Sequence, residues 1–388
     1  MPLFTSEYVF SDDYPTIEPS LKLDFANARA LDPRITFTRA STATYVGANG
    51  LIKTAGVDEA RFDHDPATGE SLGLLIEEQR TNLLTWSEDF TNTAWILFGT
   101  ASRTANAVIA PDGNTTADAV TLPVGSGIYQ FISASANTTY TFSVWLRSPS
   151  ISQNVNIVLN TNLGDATQLT VTATTTWQRF SITKTTIVGT TTLTSQLSSG
   201  VGNTFYVWGA QTEVGAFPTS YIPTSGSTVT RSADSASITG TNLTSFYNQS
   251  KGTLFTSFRP LPLSTGSRYV QSSNIGSTLE TFYIRSTPTG SDSAIIDGGV
   301  AQAYNLINYT RSEQENSKHA YAYELNNFGV SAQGQLGSGD TSCTMPTITR
   351  FDIGSLYQDS NTFLNGYISQ LFYYPKRLTN AQLQTLTQ

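Results

Sequence analysis

Segment 69–73 has a residue pattern that some hydrolytic enzymes use. Its sequence, Gly-Glu-Ser-Leu-Gly, matches G-x-S-x-G, in which a turn between a strand and a helix exposes a nucleophilic serine. A Pro-Ala-Thr-Gly turn precedes this serine, and the chain shows no alternation of strands with helices. The two histidines are His64 and His319, and His64 lies before Ser71, which is the wrong order for such a site. We therefore predict that segment 69–73 is a turn and that Ser71 is not catalytic.

Carboxylates that hydrolyse glycosidic bonds work in pairs, one as an acid and one as a base or nucleophile. Glu77 and Glu78 are adjacent, so they point to opposite faces of a strand. Glu280 and Glu324 lie in predicted strands, but no spacing in the sequence pairs either of them with a second carboxylate. We predict no catalytic residue and therefore no enzymatic activity.

Oxygen-rich loops are the usual calcium sites of proteins. Segment 111–118, Pro-Asp-Gly-Asn-Thr-Thr-Ala-Asp, is such a loop, and Asp112 and Asp118 are the candidate ligands of a structural calcium ion. The alternative is a turn in which Asp and Asn side chains accept backbone hydrogen bonds. Asp63-His64-Asp65 is a weaker candidate, because a hydrogen-bonded turn explains its histidine. No other cofactor is predicted.

Sugar binding requires exposed aromatic rings that stack on a pyranose, with amides or carboxylates beside them. The alternative role of these aromatic residues is packing in sandwich cores and subunit interfaces. The wider pool of aromatic residues contains Trp86, Trp177, Tyr129, Tyr309 and Tyr374, and the selected carbohydrate-binding candidates are Trp95, Trp145, Trp208, Tyr283 and Tyr304.

Alternating apolar residues predict the strands that must position these side chains. In segment 140–147 the residues Tyr140, Phe142, Val144 and Leu146 share one face, so Trp145 points to the other face. Segment 155–159 repeats the pattern. The density of strands and turns indicates a two-sheet sandwich.

The C-terminal residues predict a strand that ends at Pro375 and one short helix. Thr379 is a suitable N-cap, and Gln382 three residues later completes a capping box. Leu383 and Leu386 then form the apolar face of the helix.

The composition indicates an all-β protein. Charged residues make up 13% and aromatic residues 11% of the 388 residues, and Ser and Thr are abundant. Thr, Tyr, Phe and Val favour strands, and clusters of Gly, Asn and Ser supply turns. The net charge of −8 argues against nucleic acid or an anionic membrane as partners. The single cysteine, Cys343, excludes an intrachain disulfide, and we expect no secretory signal and no membrane-spanning helix.

Three runs near the N-terminus resemble a leader module of phage structural proteins. They are Asp-Pro-Arg-Ile-Thr-Phe-Thr-Arg-Ala-Ser-Thr-Ala-Thr-Tyr at 32–45, Arg-Phe-Asp-His-Asp-Pro at 61–66 and Gly-Leu-Leu-Ile-Glu-Glu at 73–78. This resemblance implies that residues 21–80 form a β-rich module that attaches to the virion. Residues 1–20, which contain three prolines, are expected to form an extended docking arm.

Two further resemblances cover the remaining chain. Asn82-Leu83-Leu84, Phe90 and Trp95 resemble the opening of galactose-binding-like jelly rolls, which implies a jelly-roll sandwich over residues 81–224. Segments 252–259, 318–323, 348–354 and 363–386 resemble the strands and closing helix of concanavalin-like (laminin-G-like) lectin domains on phage appendages. They imply a lectin sandwich over residues 225–388.

Together these resemblances imply a phage virion structural protein, such as a head or tail fibre or an appendage. The expected location is the virion, and the expected partners are other virion proteins, a homo-oligomer (a trimer is favoured) and host surface glycans. Two alternatives remain open at this point. One is a decoration or tail-structural protein whose sandwiches serve only as interfaces, and the other is a glycan depolymerase.

Overall fold

The computed structural model describes residues 14–261, 267–310, 315–357 and 362–388. Its regular structure is almost entirely antiparallel β-sheet, which confirms the predicted all-β class of tandem sandwiches. The helices among these residues are short, namely α1 (Phe25–Ala28), α2 (Gly240–Thr244) and α3 (Asn380–Thr387). No helix in these ranges is long and apolar enough to cross a membrane.

Strands in the first part of the chain run up to residue 231. In chain order they are β1 (Leu21–Asp24), β2 (Thr36–Thr38), β3 (Ala43–Val46), β4 (Ile52–Ala55), β5 (Phe62–His64), β6 (Ser71–Ile76), β7 (Arg80–Asn82), β8 (Ile96–Phe98), β9 (Ser102–Val108), β10 (Ala117–Leu122), β11 (Ser126–Ser133), β12 (Thr139–Arg147), β13 (Gln153–Thr161), β14 (Ala166–Ala173), β15 (Gln178–Thr185), β16 (Thr192–Ser199), β17 (Asn203–Val214) and β18 (Val229–Arg231).

The remaining strands belong to the second part of the chain. They are β19 (Ser235–Thr239), β20 (Lys251–Pro260), β21 (Arg268–Asn274), β22 (Thr281–Thr287), β23 (Gly290–Asp297), β24 (Val300–Asn308), β25 (Ser317–Glu324), β26 (Gly329–Ala332), β27 (Gln335–Leu336), β28 (Arg350–Ile353) and β29 (Gly366–Tyr374).

The chain forms two compact units, each built from segments that are distant in sequence. The central unit comprises residues 39–70 and 79–233. The C-terminal unit comprises residues 71–78 together with the described residues before 39 and after 233. The predicted boundaries at 20, 80 and 224 therefore differ from the compact units, because residues 21–80 are divided between both of them.

Strand pairing explains why the predicted leader module is not a separate unit. In the C-terminal unit, β1 pairs with residues 370–373 of β29, and β6 pairs with residues 366–368 of the same strand. Gly73 has a φ of +97°, and a Cβ there would lie 2.2 Å from the carbonyl oxygen of Ile368. Ser71 opens strand β6, so the predicted turn at 69–73 is wrong beyond residue 70. The second glycine of the G-x-S-x-G pattern is needed for close strand approach.

The C-terminal unit contains two sheets, ordered β27-β26-β25-β20-β29-β6 and β2-β19-β28-β21-β22-β23-β24. Helix α3 packs Leu383 and Leu386 against Phe255, Ala320 and neighbouring residues. The predicted capping box of Thr379 and Gln382 is present. Cys343 is buried, as expected of a small apolar thiol.

The central unit is a sandwich of two five-stranded sheets, β15-β12-β17-β10-β9 and β14-β13-β16-β11-β8. Its core contains both predicted alternating sets, including Tyr140, Phe142, Val144 and Leu146 from one sheet and Val155, Ile157 and Leu159 from the other. The hairpin of β3 and β4 belongs to this unit. Thr44 donates a hydrogen bond to the carbonyl oxygen of Tyr221 (2.5 Å).

Candidate functional site

A cleft of about 750 Å³ lies on the central unit, within the range of small-molecule sites. Its walls come from the segment before β8, from β9 and β10, and from the segment around β18. Among the described residues, no Lys, Arg or His lines it. The lining residues are Trp86, Glu88, Asp89, Thr91, Ala105, Asn106, Thr116, Asp118, Pro223, Thr224, Ser225, Ser227 and Val229.

A bulge in β9 forms one wall of the cleft. Thr104 is opposite Ala119 and Val108 is opposite Ala117, so β9 contains two more residues than β10 between these pairs. Asn106 lies in this bulge with a φ of +52°, a conformation that asparagine adopts more readily than most residues. Its backbone N–H donates to Oδ1 of Asp118 (2.8 Å), which fixes the bulge.

Asp118 connects two walls of the cleft. The residue is 2% exposed, and its Oδ2 accepts a hydrogen bond from the backbone N–H of Phe90 (2.8 Å). Burial raises the pKa of Asp118 above its ordinary value, while hydrogen bonds from the backbone act in the opposite direction. Each carboxylate oxygen thus holds a different loop in place.

Asp112, the second predicted calcium ligand, does not line the cleft. Its carboxylate accepts hydrogen bonds from the backbone N–H (3.0 Å) and side-chain amide (2.8 Å) of Asn114. These contacts form the hydrogen-bonded turn that the sequence analysis gave as the alternative to a calcium site. The described ranges contain no group of three or more His, Cys, Asp or Glu residues able to hold a metal ion. Both carboxylate oxygens of Asp112 and of Asp118 accept hydrogen bonds within the protein, and calcium binding stays a prediction.

His64 of the weaker candidate lies in strand β5 and is buried. Its Nδ1 is 3.0 Å from the carbonyl oxygen of Val46, and Oδ1 of Asp63 accepts from the backbone N–H of Val46 (2.6 Å). These contacts join β5 to the β3 hairpin.

Glu88 supplies a second carboxylate, held by a buried tyrosine. The hydroxyl of Tyr221 donates to Oε1 of Glu88 (2.9 Å) and is 2.7 Å from Oγ of Ser87. Burial raises the pKa of Glu88, with a smaller opposing effect of the hydrogen bond from Tyr221. The Trp208 indole N–H donates to Oγ1 of Thr116 (3.1 Å), so that hydroxyl is also held in place.

Trp86 provides the aromatic wall. Its side chain is half-buried, and its carbonyl oxygen accepts from the indole N–H of Trp95 (2.7 Å). Its backbone bridges to Ser225. Gly226, with a φ of +99°, lies against the indole ring, and a Cβ there would be 3.5 Å from the ring. The ring is thus supported on one side.

The three selected tryptophans pack inside the central unit. Trp95 is 1% exposed and stacks on Phe90 with ring centroids 4.6 Å apart. Trp208 is also 1% exposed, and Trp145 lies edge-on to it with the Arg179 guanidinium 4.4 Å above the Trp145 ring. Trp95 and Trp208 offer no free ring face for a sugar, so the packing role is correct for them, because sandwich cores bury large rings. Trp145 is half-buried, and its sugar contact stays a prediction.

Tyr283 and Tyr304 come together in the C-terminal unit. Arg285 makes a two-pronged ion pair with Asp292 (2.9 and 2.7 Å) and lies 4.5 Å from the Tyr283 ring. The Tyr304 hydroxyl donates to the same carboxylate (3.0 Å), and Tyr304 is 52% exposed. Tyr283 is covered, whereas Tyr304 keeps an open ring, and its sugar contact stays a prediction.

Sequence reasoning missed most of the cleft. Trp86 was in the pool of aromatic candidates, but nothing local separates it from Trp95. Glu88 and Asp89 follow Trp86 directly, so a cluster of an aromatic residue with two acids was the available signal. Asn106 carries no such signal, because its position depends on a bulge and on Asp118.

No family model and no curated protein matches this sequence. Solved structures that resemble part of it include carbohydrate-binding modules and a phage tailspike domain. The CBM40 of the Ruminococcus gnavus IT-sialidase is 13% identical with a TM-score of 0.31, over 36% of this chain and 84% of that one. A CBM4 structure is 18% identical with a TM-score of 0.26, over 36% of this chain and 97% of that one.

The enzymatically active domain of Bacteriophage CBA120 tailspike protein 4 is 16% identical with a TM-score of 0.28. The likeness covers 34% of this chain and 21% of that one. At these identities and TM-scores the resemblance concerns the β-sandwich fold alone.

Proposed function

We propose that the central unit binds an uncharged sugar in the cleft. The observation that carries this proposal is the combination of a supported indole, Trp86, with hydroxyl, amide and carboxylate groups around it. An indole face suits the apolar face of a pyranose, and carboxylates accept hydrogen bonds from sugar hydroxyls. Asp118 and Tyr221 hold the walls before a ligand arrives, so little ordering is required on binding.

The charge of the cleft selects against acidic sugars. Glu88, Asp89 and Asp118 line it without a Lys, Arg or His among the lining residues. A sialic or uronic acid would bring a further negative charge to these carboxylates, with no cation to compensate it.

Binding without hydrolysis is the activity that we propose. Asp118 uses both oxygens for backbone N–H groups, and Oδ1 of Asp89 accepts from the backbone N–H (3.0 Å) and hydroxyl (2.6 Å) of Thr91. Glycoside hydrolysis needs two carboxyl groups free to act on either side of the scissile bond. Asp118 instead organises the loops of the cleft, which leaves Glu88 and Asp89 as the carboxylates that accept hydrogen bonds from sugar hydroxyls.

We further propose that the protein is a subunit of a phage fibre or appendage, located in the virion. The runs at 32–45, 61–66 and 73–78 support this role through their resemblance to phage structural proteins. In such a particle the N-terminal region would contact other virion proteins. A trimer would repeat the cleft and convert weak single-site binding to avidity, by about 10² to 10⁴ where the geometry permits. Most of the proposed docking arm lies outside the described residues.

An array of neutral and acidic oligosaccharides, followed by calorimetry, tests the cleft. We expect binding of neutral sugars, lost by at least about tenfold in Trp86→Ala, which corresponds to about 1.4 kcal/mol. Trp177→Ala, which removes a half-buried tryptophan that does not line the cleft, is the matched control and should bind as the wild type does. Preference for acidic sugars, or equal binding by both variants, overturns the proposal. Release of reducing ends from a bound polysaccharide would instead identify the protein as a glycan depolymerase.

Immunogold electron microscopy tests the virion role. Antibodies against the chain should label purified phage particles at a defined place on the head or tail. Protein that stays in the lysate supernatant and is missing from purified particles contradicts this role. Labelled particles without any glycan binding would favour the decoration alternative.

A further inference from the structure

The second sheet of the central unit has an outer face without charge. Its five strands β14, β13, β16, β11 and β8 contain no Asp, Glu, Lys, Arg or His. Inward residues such as Ile128, Ile157 and Leu197 belong to the core, so the alternate positions point outward. We name this outer surface the uncharged face.

Three aromatic rings form a row along β11 on the uncharged face. The Phe98 and Tyr129 ring centroids are 6.1 Å apart with the ring planes tilted by 43°, and those of Tyr129 and Phe131 are 5.0 Å apart with the rings edge-on at 77°. Phe98 lies over Gly127, where a Cβ would be 2.4 Å from its ring. The missing side chain lets the Phe98 ring lie close to the sheet. Phe131 is 53% exposed, so part of its ring faces solvent.

Amide groups flank the aromatic row. Gln196 is directly opposite Tyr129 on β16, and Val158 and Gln168 continue the same line across β13 and β14. The side chains of Gln196 (half-buried) and Gln168 (exposed) make no hydrogen bond to any residue in the described ranges. Asn156 differs, because its Oδ1 accepts from the Thr170 hydroxyl (2.7 Å). Amide groups without a partner in the protein have donors and acceptors free for a ligand.

We propose that the uncharged face is a second carbohydrate site, which binds an internal stretch of a linear neutral polysaccharide. The exposed Phe131 ring suits the apolar face of one sugar residue, and the amides of Gln196 and Gln168 can bind hydroxyls of residues farther along the polymer. A face without charge gives no attraction to acidic polymers or to charged protein surfaces. This site does not depend on the cleft, which is formed by other strands.

The test uses linear neutral probes of increasing length. Cello-, manno- and galacto-oligosaccharides of two to six residues are titrated by calorimetry. Hydroxyethylcellulose and galactomannan are used in native affinity gels. We expect at least one series to bind more tightly with length by about tenfold, or about 1.4 kcal/mol. The double variant Tyr129→Ala with Phe131→Ala should lose that gain. Tyr206→Ala, a half-buried tyrosine on the other sheet, is the matched control.

The outcomes separate this site from the cleft. In Trp86→Ala the affinity should still increase with oligosaccharide length, even if the variant no longer binds mono- and disaccharides. The proposal is overturned if no neutral probe shows the gain, or if the double variant retains it while folded by circular dichroism. A dimer in sedimentation that the double variant abolishes would instead identify a second copy of the chain as the occupant.

Discussion

The two sheets of the central unit share one core but differ in their content of charged residues. The sheet of β10 and β17 contains the buried acids Asp118 and Glu213, and its edge contributes to the acidic cleft. The other sheet contributes the uncharged face, with three aromatic rings and free amides. A sandwich core constrains only every second residue of a strand. The outward residues are therefore free to differ between sheets, and one fold can support two kinds of recognition.

Asp118→Asn should have the largest effect and should act on the cleft alone. An asparagine offers one acceptor oxygen where Asp118 uses two, so one backbone N–H of Phe90 or Asn106 loses its partner. We expect a loss of about 1–3 kcal/mol in the free energy of unfolding, measured by urea titration. Sugar binding in the cleft should fall with it, and the length-dependent binding of linear glycans should persist in the folded fraction.

Asp112→Asn is the matched control for this change. Asp112 is half-exposed in a turn with Asn114, and an asparagine forms the same turn. Its effect should stay within about 0.5 kcal/mol. If both variants lost the same free energy of unfolding, Asp118 would not be more important to the structure than Asp112.

Gly127→Ala should disturb the uncharged face and the pairing of β11 with β16 beneath it. The new Cβ would lie 2.4 Å from the Phe98 ring and 2.6 Å from the carbonyl oxygen of Leu197, so the ring must leave the sheet. We expect an approximately tenfold weaker affinity for long neutral glycans, or about 1.4 kcal/mol by calorimetry. Gly200→Ala, with no atom near the new Cβ, should have no effect. Unchanged affinity in Gly127→Ala would show that Phe98 is dispensable.

Glu88→Gln should change the pH dependence of stability. Burial raises the pKa of Glu88 above its ordinary value of 4.5, so the folded state binds this proton more tightly than the unfolded chain does. The contribution of Glu88 to stability is therefore present below pH 4.5 and is lost as the pH rises through the folded-state pKa. The Tm of Glu88→Gln should exceed that of the wild type at pH 7, and the difference should vanish near pH 4. A lower Tm for the variant at pH 7 would contradict this sign.

Salt should have the smallest effect. If both sites take uncharged sugars, raising NaCl from about 0.05 to 0.5 M should change neither affinity by more than about twofold, because screening acts on pairs of charges. A cationic ligand in the cleft would instead lose affinity steeply. Calorimetry of each site, with the other one mutated, distinguishes these results.

Local patterns predicted the elements of this chain better than its sites. The alternation in β12, the end of β29 and the capping box of α3 were predicted, because each depends on residues that are close in sequence. The burial of the candidate residues Trp95 and Trp208 was not predicted. A period of two separates the faces of a strand, but it does not reveal which face a second sheet or a loop will cover.

The sequence by itself determined an all-β chain with low charge, its strand faces and its C-terminal helix, because these depend on composition and short-range periodicity. Only the tertiary structure decided that β1 and β6 both pair with β29, and that Asp118 holds Phe90 and Asn106. Pairings between residues distant in sequence are selected by the packing of the whole unit. No local pattern encodes them.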